Sequence, residues 1–254
     1  MGKIVAIGGG EIKDAKTGKL ETLLIDKEIV RLAGKAHPRA LFIPTASGDA
    51  EGYVANFEYV YGKKLGCKVD VLRVVKNPPT YEQMEKKILS ADIIYVGGGN
   101  TFRMIKCWRK HGIDKLLRKA YDSGIVLSGL SAGAVCWFRY ANSDSSKDWK
   151  CKPWAYFLRV SGLGFVPATL SVHHIREKRK RIPGFRRQMQ RTPGVGIALD
   201  DCCALEIVDG EYRLIASKKN VCAHKVYYKN GRTAYDKIPV KREFSPMDGL
   251  LEKA

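Results

Sequence analysis

The sequence predicts an α/β protein with a mostly parallel sheet, finished by antiparallel hairpins. Three observations carry this. Short β-branched runs are apolar throughout rather than alternating, as strands buried on both faces must be. Stretches with apolar residues three and four apart separate them, which is helical spacing. Beyond Gly194 the helical spacing stops, and short strands follow one another across Asp209-Gly210 and Asn230-Gly231, dipeptides that favour hairpin turns.

Residues 4–7 are apolar and run into Gly8-Gly9-Gly10, so they read as a buried strand ending in a turn. A helix follows over 21–34, with Leu23, Leu24, Ile29 and Leu32 on one side. Strand 40–44 precedes helix 53–65, and strand 69–72 precedes helix 80–89, which Thr80 is placed to cap. Strand 92–96 ends in a second triglycine, Gly97-Gly98-Gly99. Helices 101–108 and 113–123 and strand 125–127 complete the alternation of parallel βαβ units. Strand 169–172 leads to a pair of histidines. The later strands are 194–197, 204–208, 212–215, 223–228 and 233–235. The 254 residues read as a single domain with a peripheral tail from about residue 243.

Composition narrows the function. No apolar stretch approaches the roughly 20 residues that cross a bilayer. The opening residues read as a strand rather than a secretory leader, so a cytoplasmic address is expected. Seven cysteines without a CxxC spacing suit reduced thiols better than zinc or a disulfide framework. The net charge of +19 admits an anionic partner, but the basic residues are dispersed except over 176–191. Nucleic-acid binding is therefore the minor reading, one that steep salt dependence would reveal.

The most informative segment is Ser128-Gly129-Leu130-Ser131-Ala132-Gly133-Ala134. A buried strand enters Gly-x-Ser-x-Gly and small residues open a helix, the context of a nucleophile elbow. Glycines remove the Cβ clashes of a sharp turn, and free N–H groups beyond it can face developing negative charge. Ser131 is the expected nucleophile and the Ala132 N–H one oxyanion donor. In a parallel sheet the turn at Gly97-Gly98-Gly99-Asn100-Thr101 shares the elbow's edge, which suits it to supply a second donor. Neither triglycine carries a nucleotide-binding fingerprint.

Serine needs a base, and the base needs a carboxylate. His37, His111 and His224 sit in loop, helix-end and strand contexts that suit structural roles. His173 and His174 follow a strand end, where alternation turns one toward the site, and the pair alone leaves both open. The carboxylate candidates are Asp144, Asp148 and the Asp200-Asp201 pair.

Together these residues resemble the serine peptidases of dipeptidase E and cyanophycinase. The shared segments are Val96 to Phe102 (VGGGNTF), Gly129 to Ala134 (GLSAGA), the Asn-Ser-Asp-Ser loop at 142–145, GLGFVP at 162–167 and GIALDD at 196–201. The resemblance spans roughly residues 1–235 and implies a flavodoxin-like three-layer sandwich akin to the class I glutamine amidotransferases, with serine replacing cysteine. It implies Ser131 as nucleophile, Gly99 and Ala132 as oxyanion donors, His173 as base and Asp144 as the acid of the dipeptidase branch. The cyanophycinase branch draws its acid from the later strand, which retains Asp201. The implied substrates are short acidic peptides, Asp-X dipeptides or β-aspartyl-arginine links, cleaved without metal or cofactor. Of Arg176, Arg179, Arg186 and Arg187, it favours Arg186 for the acidic side chain, beside Asn100 as a second substrate contact. Residues 145–159, with Trp149, Trp154 and Tyr156, are expected to border the pocket. A homodimer is the assembly left open. Amidotransferase-like ammonia release would want cysteine at the elbow, whereas Cys136 lies five residues on.

Overall fold

The computed structural model of the chain describes residues 2–146 and 157–253. Trp149, Trp154, Tyr156 and Asp148 lie outside the described residues. The chain runs β1 (Lys3–Ile7), α1 (Leu23–Leu32), β2 (Arg39–Ile43), α2 (Glu51–Phe57), β3 (Lys68–Val71), α3 (Tyr81–Leu89) and β4 (Ile93–Val96). It continues with α4 (Thr101–His111), α5 (Ile113–Asp122), β5 (Val126–Leu130), α6 (Ala132–Val135), β6 (Phe138–Ser143), β7 (Leu158–Ser161) and β8 (Val166–Ser171). The last third holds α7 (Lys178–Gln190), β9 (Gly196–Leu199), β10 (Cys203–Val208), β11 (Glu211–Ala216), β12 (Ala223–Lys229), β13 (Arg232–Ile238), β14 (Ser245–Pro246) and α8 (Met247–Leu251). Among the described residues no helix is long and apolar enough to cross a membrane.

The strands form two sheets. One has the order β14-β11-β10-β1-β5-β4-β2-β3, the other β13-β12-β9-β8-β6-β7. In the first, β1, β5, β4, β2 and β3 are mutually parallel, and β10, β11 and β14 extend it antiparallel. The α/β class, the parallel core and the late hairpins match expectation. The division into two sheets was not expected. It arises because β8 pairs with β6 and β9 pairs with β8 and β12, rather than with the first sheet, and β6 and β7 were not legible as strands.

Alternation in β1 shows why the parallel strands are apolar throughout. Ile4 and Ala6 enter one core cluster and Val5 and Ile7 the other, so both faces of the strand are covered. On the second face, Phe42 and Phe57 stack at 4.5 Å, and Phe57 stacks on Tyr61 at 4.3 Å. Helix α3 starts where Thr80 accepts the Gln83 N–H while the Gln83 side chain accepts the Thr80 N–H, a reciprocal cap. The expected helix over 53–65 is α2 followed by a wider-wound turn over Glu58–Lys64. In the tail, β14 pairs with β11, and Met247 and Leu250 are buried.

This topology gathers strand ends. The carboxyl ends of β1, β4 and β5 meet those of β8 and β9 from the second sheet, and the candidate residues lie on the turns that leave them.

Candidate active site

Ser131 sits between β5 and α6 with φ 55° and ψ −110°, a conformation few side-chain-bearing residues adopt. Such a geometry costs of order 1–3 kcal/mol and persists only where its surroundings impose it. Here the Ser131 N–H donates to Ile7 O at 3.1 Å, fastening the turn to the end of β1. The flanking glycines are required sterically. A Cβ on Gly133 would lie 2.0 Å from Val96 O, and one on Gly129 would lie 2.5 Å from Gly133 O. With either side chain present, the turn could not close against β4.

His173 leaves β8 with φ 56°, and its N–H donates to Gly8 O at 3.0 Å. Its Nε2 lies 2.9 Å from Ser131 Oγ. Its Nδ1 lies 2.6 Å from Asp201 Oδ1, at the end of β9. With the proton on Nδ1 and shared with Asp201, Nε2 is bare and can accept the serine proton. The neighbouring His174 points the other way. It is buried among Phe185, His224 and Tyr235. Burial, reinforced by His224, pushes its pKa down to about 4. It is therefore a neutral packing residue near pH 7. Strand geometry separates the two roles that the histidine pair alone left open.

The carboxylate on His173 is Asp201, not Asp144. Asp144 follows β6, on the far side of β8 from β9. It faces the cavity wall, with Oδ2 3.9 Å from Arg181 Nη2. The β8 exit turns the Nδ1 edge of the ring toward β9, within reach of the later aspartate pair. Of that pair, Asp200 is turned inward. Its carboxylate accepts the Cys222 N–H at 3.1 Å and the Ile175 N–H, and burial raises its pKa.

Gly8 and Gly9, read from sequence as only a strand-end turn, clamp this arrangement. Gly8 O holds the His173 N–H, and Gly9 O accepts the Cys202 N–H at 2.9 Å. Gly9 has φ 153°, and a Cβ there would fall 1.9 Å from Asp201 Oδ1 and 2.4 Å from His173 Nδ1. The triglycine was the available signal. Its partners became visible only once β1 was seen to lie between β5 and β10.

The second triglycine is equally constrained. Gly99 has φ 141°, and a Cβ there would meet Ala46 O at 2.1 Å. The Gly98 N–H is taken by the Tyr53 hydroxyl at 3.2 Å. Among the described residues the N–H groups of Gly99 and Ala132 have no partner, so both can donate to an oxyanion. Helix α6 is a single turn, so individual N–H groups matter here rather than a long helix dipole.

A cavity of about 320 Å³ opens over Ser131 and His173. Among the described residues its walls include Asn100, Asn142, Asp144, Arg176, Glu177 and Arg181. Asn100 belongs to it, but its side chain is already employed. It caps α4 by accepting the Arg103 N–H at 3.0 Å, and it donates to Ser145 O at 3.3 Å. Arg186 does not line the cavity. It is exposed and lies 5.0 Å from the centre of the Tyr235 ring. Five residues separate it from Arg181, which turns it about 140° around α7 at 100° per residue. The cations on the wall are instead Arg176 and Arg181. Arg181 is buried and bound to Glu177 Oε2 at 2.6 Å and to Asn142 O at 3.2 Å.

A serine on a strained elbow, a base, a carboxylate and two unspent N–H groups make an acyl-transfer constellation. Comparison with known proteins agrees. The family model of peptidase family S51 matches residues 4–215. The chain belongs to peptidase family S51. The S51 chain is 30% identical over 242 residues to the uncharacterized peptidase YgaJ of Bacillus subtilis, covering 95% of this chain and 99% of that one. It is 25% identical over 243 residues to peptidase E of Nostoc sp., covering 90% and 89%. A solved peptidase from an acI-B1 Actinobacterium shares the fold with TM-score 0.71 and 16% identity over 96% of each chain. A Listeria monocytogenes structure named for peptidase E does so at TM-score 0.61 and 19% identity, covering 85% of this chain and 98% of that one. Membership makes the protein a peptidase, and the serine at its elbow fits the serine type.

Proposed function

We propose that this S51 peptidase hydrolyses short acidic peptides, Asp-X dipeptides first among them, through Ser131, His173 and Asp201. One observation carries the mechanism: the unbroken contact chain of 2.9 Å from Ser131 Oγ to His173 Nε2 and 2.6 Å from Nδ1 to Asp201. Ser131 attacks the scissile carbonyl as Nε2 takes its proton, and Asp201 stabilises the imidazolium that forms. The N–H groups of Gly99 and Ala132 receive the oxyanion. The imidazolium then protonates the leaving amine, and water hydrolyses the acyl-enzyme by the same route in reverse. A cavity of about 320 Å³ suits a dipeptide better than a folded protein.

A second substrate reading has its own support. The orienting carboxylate comes from the end of β9, as the resemblance implies for enzymes acting on β-aspartyl-arginine links, and Asp144 and Glu177 on the cavity wall could receive a cationic leaving side chain. Hydrolysis of an Asp-X panel and of β-Asp-Arg by wild type and Ser131→Ala tests both. Turnover of Asp-X that vanishes in the variant supports the first reading. Turnover of β-Asp-Arg alone selects the second, and activity surviving in Ser131→Ala removes the mechanism.

A further inference from the structure

His173 Nδ1 has two claimants. Asp201 Oδ1 lies 2.6 Å away and Arg176 Nη2 lies 3.0 Å away, while Arg176 Nη1 holds Asp201 Oδ2 at 2.9 Å. In a neutral ring Nδ1 is either a donor or an acceptor, so the two contacts exclude each other. If Nδ1–H donates to Asp201, Nε2 is bare and can take the Ser131 proton. If Nδ1 accepts from Arg176, the ring proton sits on Nε2 and the base is idle. The change moves one proton from Nε2 to Nδ1 through solvent, with no net gain or loss.

Arg176 is also well placed to leave. Its side chain is 52% exposed on the cavity wall, whereas that of Arg181 is 2% exposed and committed to Glu177. Of the two cations lining the cavity among the described residues, Arg176 is the one that can turn toward a ligand. A guanidinium fork matches a carboxylate bidentately.

We infer that Arg176 is a specificity-determining residue that couples recognition to activation. In the free enzyme it draws on Nδ1 and on the Asp201 charge. An acidic substrate side chain takes the guanidinium away, and the released Asp201 then fixes the ring in the tautomer that serves Ser131. Neutral substrates fit the cavity but leave the base partly disabled. This rests on the proposed Ser131–His173–Asp201 reading.

The test compares wild type, Arg176→Met and Arg176→Lys, with thermal melts to confirm folding. A neutral alkyl fluorophosphonate should label Ser131 about tenfold faster in Arg176→Met, the size expected when one charge-assisted contact is removed. Hydrolysis of Asp-X should fall about tenfold while that of the isosteric Asn-X rises. Lysine, a point charge without a fork, should recover part of the Asp-X rate but not the slow labelling. Independently of hydrolysis, the ring 15N shifts of His173 should move toward the Nδ1–H tautomer in Arg176→Met. Equal or slower labelling in Arg176→Met, an unchanged Asp/Asn ratio or unchanged ring shifts overturns the inference and leaves the triad standing. If Ser131 is labelled in none of the three proteins, the triad falls and takes the inference with it.

Discussion

Replacing Asp201 by asparagine separates the two carboxylates that the resemblance left in competition. Arg176 Nη1 donates to Oδ2 at 2.9 Å, so the amide oxygen of the variant will turn to Arg176. Its NH2 then faces Nδ1 at the 2.6 Å contact and makes that nitrogen an acceptor. The ring proton moves to Nε2, which can no longer take the proton of Ser131. The imidazolium also loses its counter-charge. Losses of about 10⁴ in kcat follow from the same defect in other serine hydrolases, about 5.5 kcal/mol of transition-state stabilisation. The control is Asp144→Asn, which touches neither ring nitrogen and should keep kcat within about threefold, with any effect falling on KM. Steady-state hydrolysis of an Asp-X dipeptide, with melting curves for both variants, reads the difference. An Asp201→Asn enzyme retaining a tenth of the wild-type kcat or more, beside an Asp144→Asn enzyme that has lost it, would refute the reasoning.

Three further outcomes are expected. Gly9→Ala puts a methyl where Asp201 Oδ1 and His173 Nδ1 now lie, at 1.9 and 2.4 Å, so kcat should fall about 100-fold for a displacement near 1 Å, and kinetics near wild type would contradict the clamp. Arg186→Ala should leave kcat/KM for acidic peptides within about twofold and cost at most about 1 kcal/mol in a denaturant melt, from the lost Tyr235 contact; a selective loss of acidic substrates would return Arg186 to the pocket. Asp26 is fully buried, accepts from Thr22 Oγ1 at 2.8 Å and Tyr61 Oη at 3.0 Å, and burial raises its pKa from 3.8 to about 7. The folded state thus holds this proton where the unfolded chain has released it, so its contribution to stability declines as pH rises from about 4 and is lost past 7. Asp26→Asn should flatten that decline between pH 4 and 7, and an identical pH slope in both proteins would refute the assignment.

How much was legible in the sequence follows from how local each signal is. Strands β1, β2, β4 and β5 announce themselves because burial on both faces demands unbroken apolar runs. The elbow is legible for a similar reason, since its glycines answer contacts made within one strand–turn–helix unit. Strands β6 and β7 are not. Arg139, Asn142 and Arg159 interrupt them, and their antiparallel pairing joins segments on either side of residues 144–157. Sequence order and the resemblance favoured Asp144, with Asp201 kept as the alternative, while topology puts β9, not β6, on the Nδ1 side of His173. Arg186 was favoured by the resemblance, yet the turn of α7 directs it outward.

The most direct test of the account is the site of covalent capture. Treatment of the native enzyme with a fluorophosphonate, followed by peptide mass spectrometry, should give a single phosphonyl adduct on Ser131, absent from His173→Ala. Peptide hydrolysis proceeding while Ser131 stays unmodified, or an adduct on a different serine that abolishes activity, would contradict it.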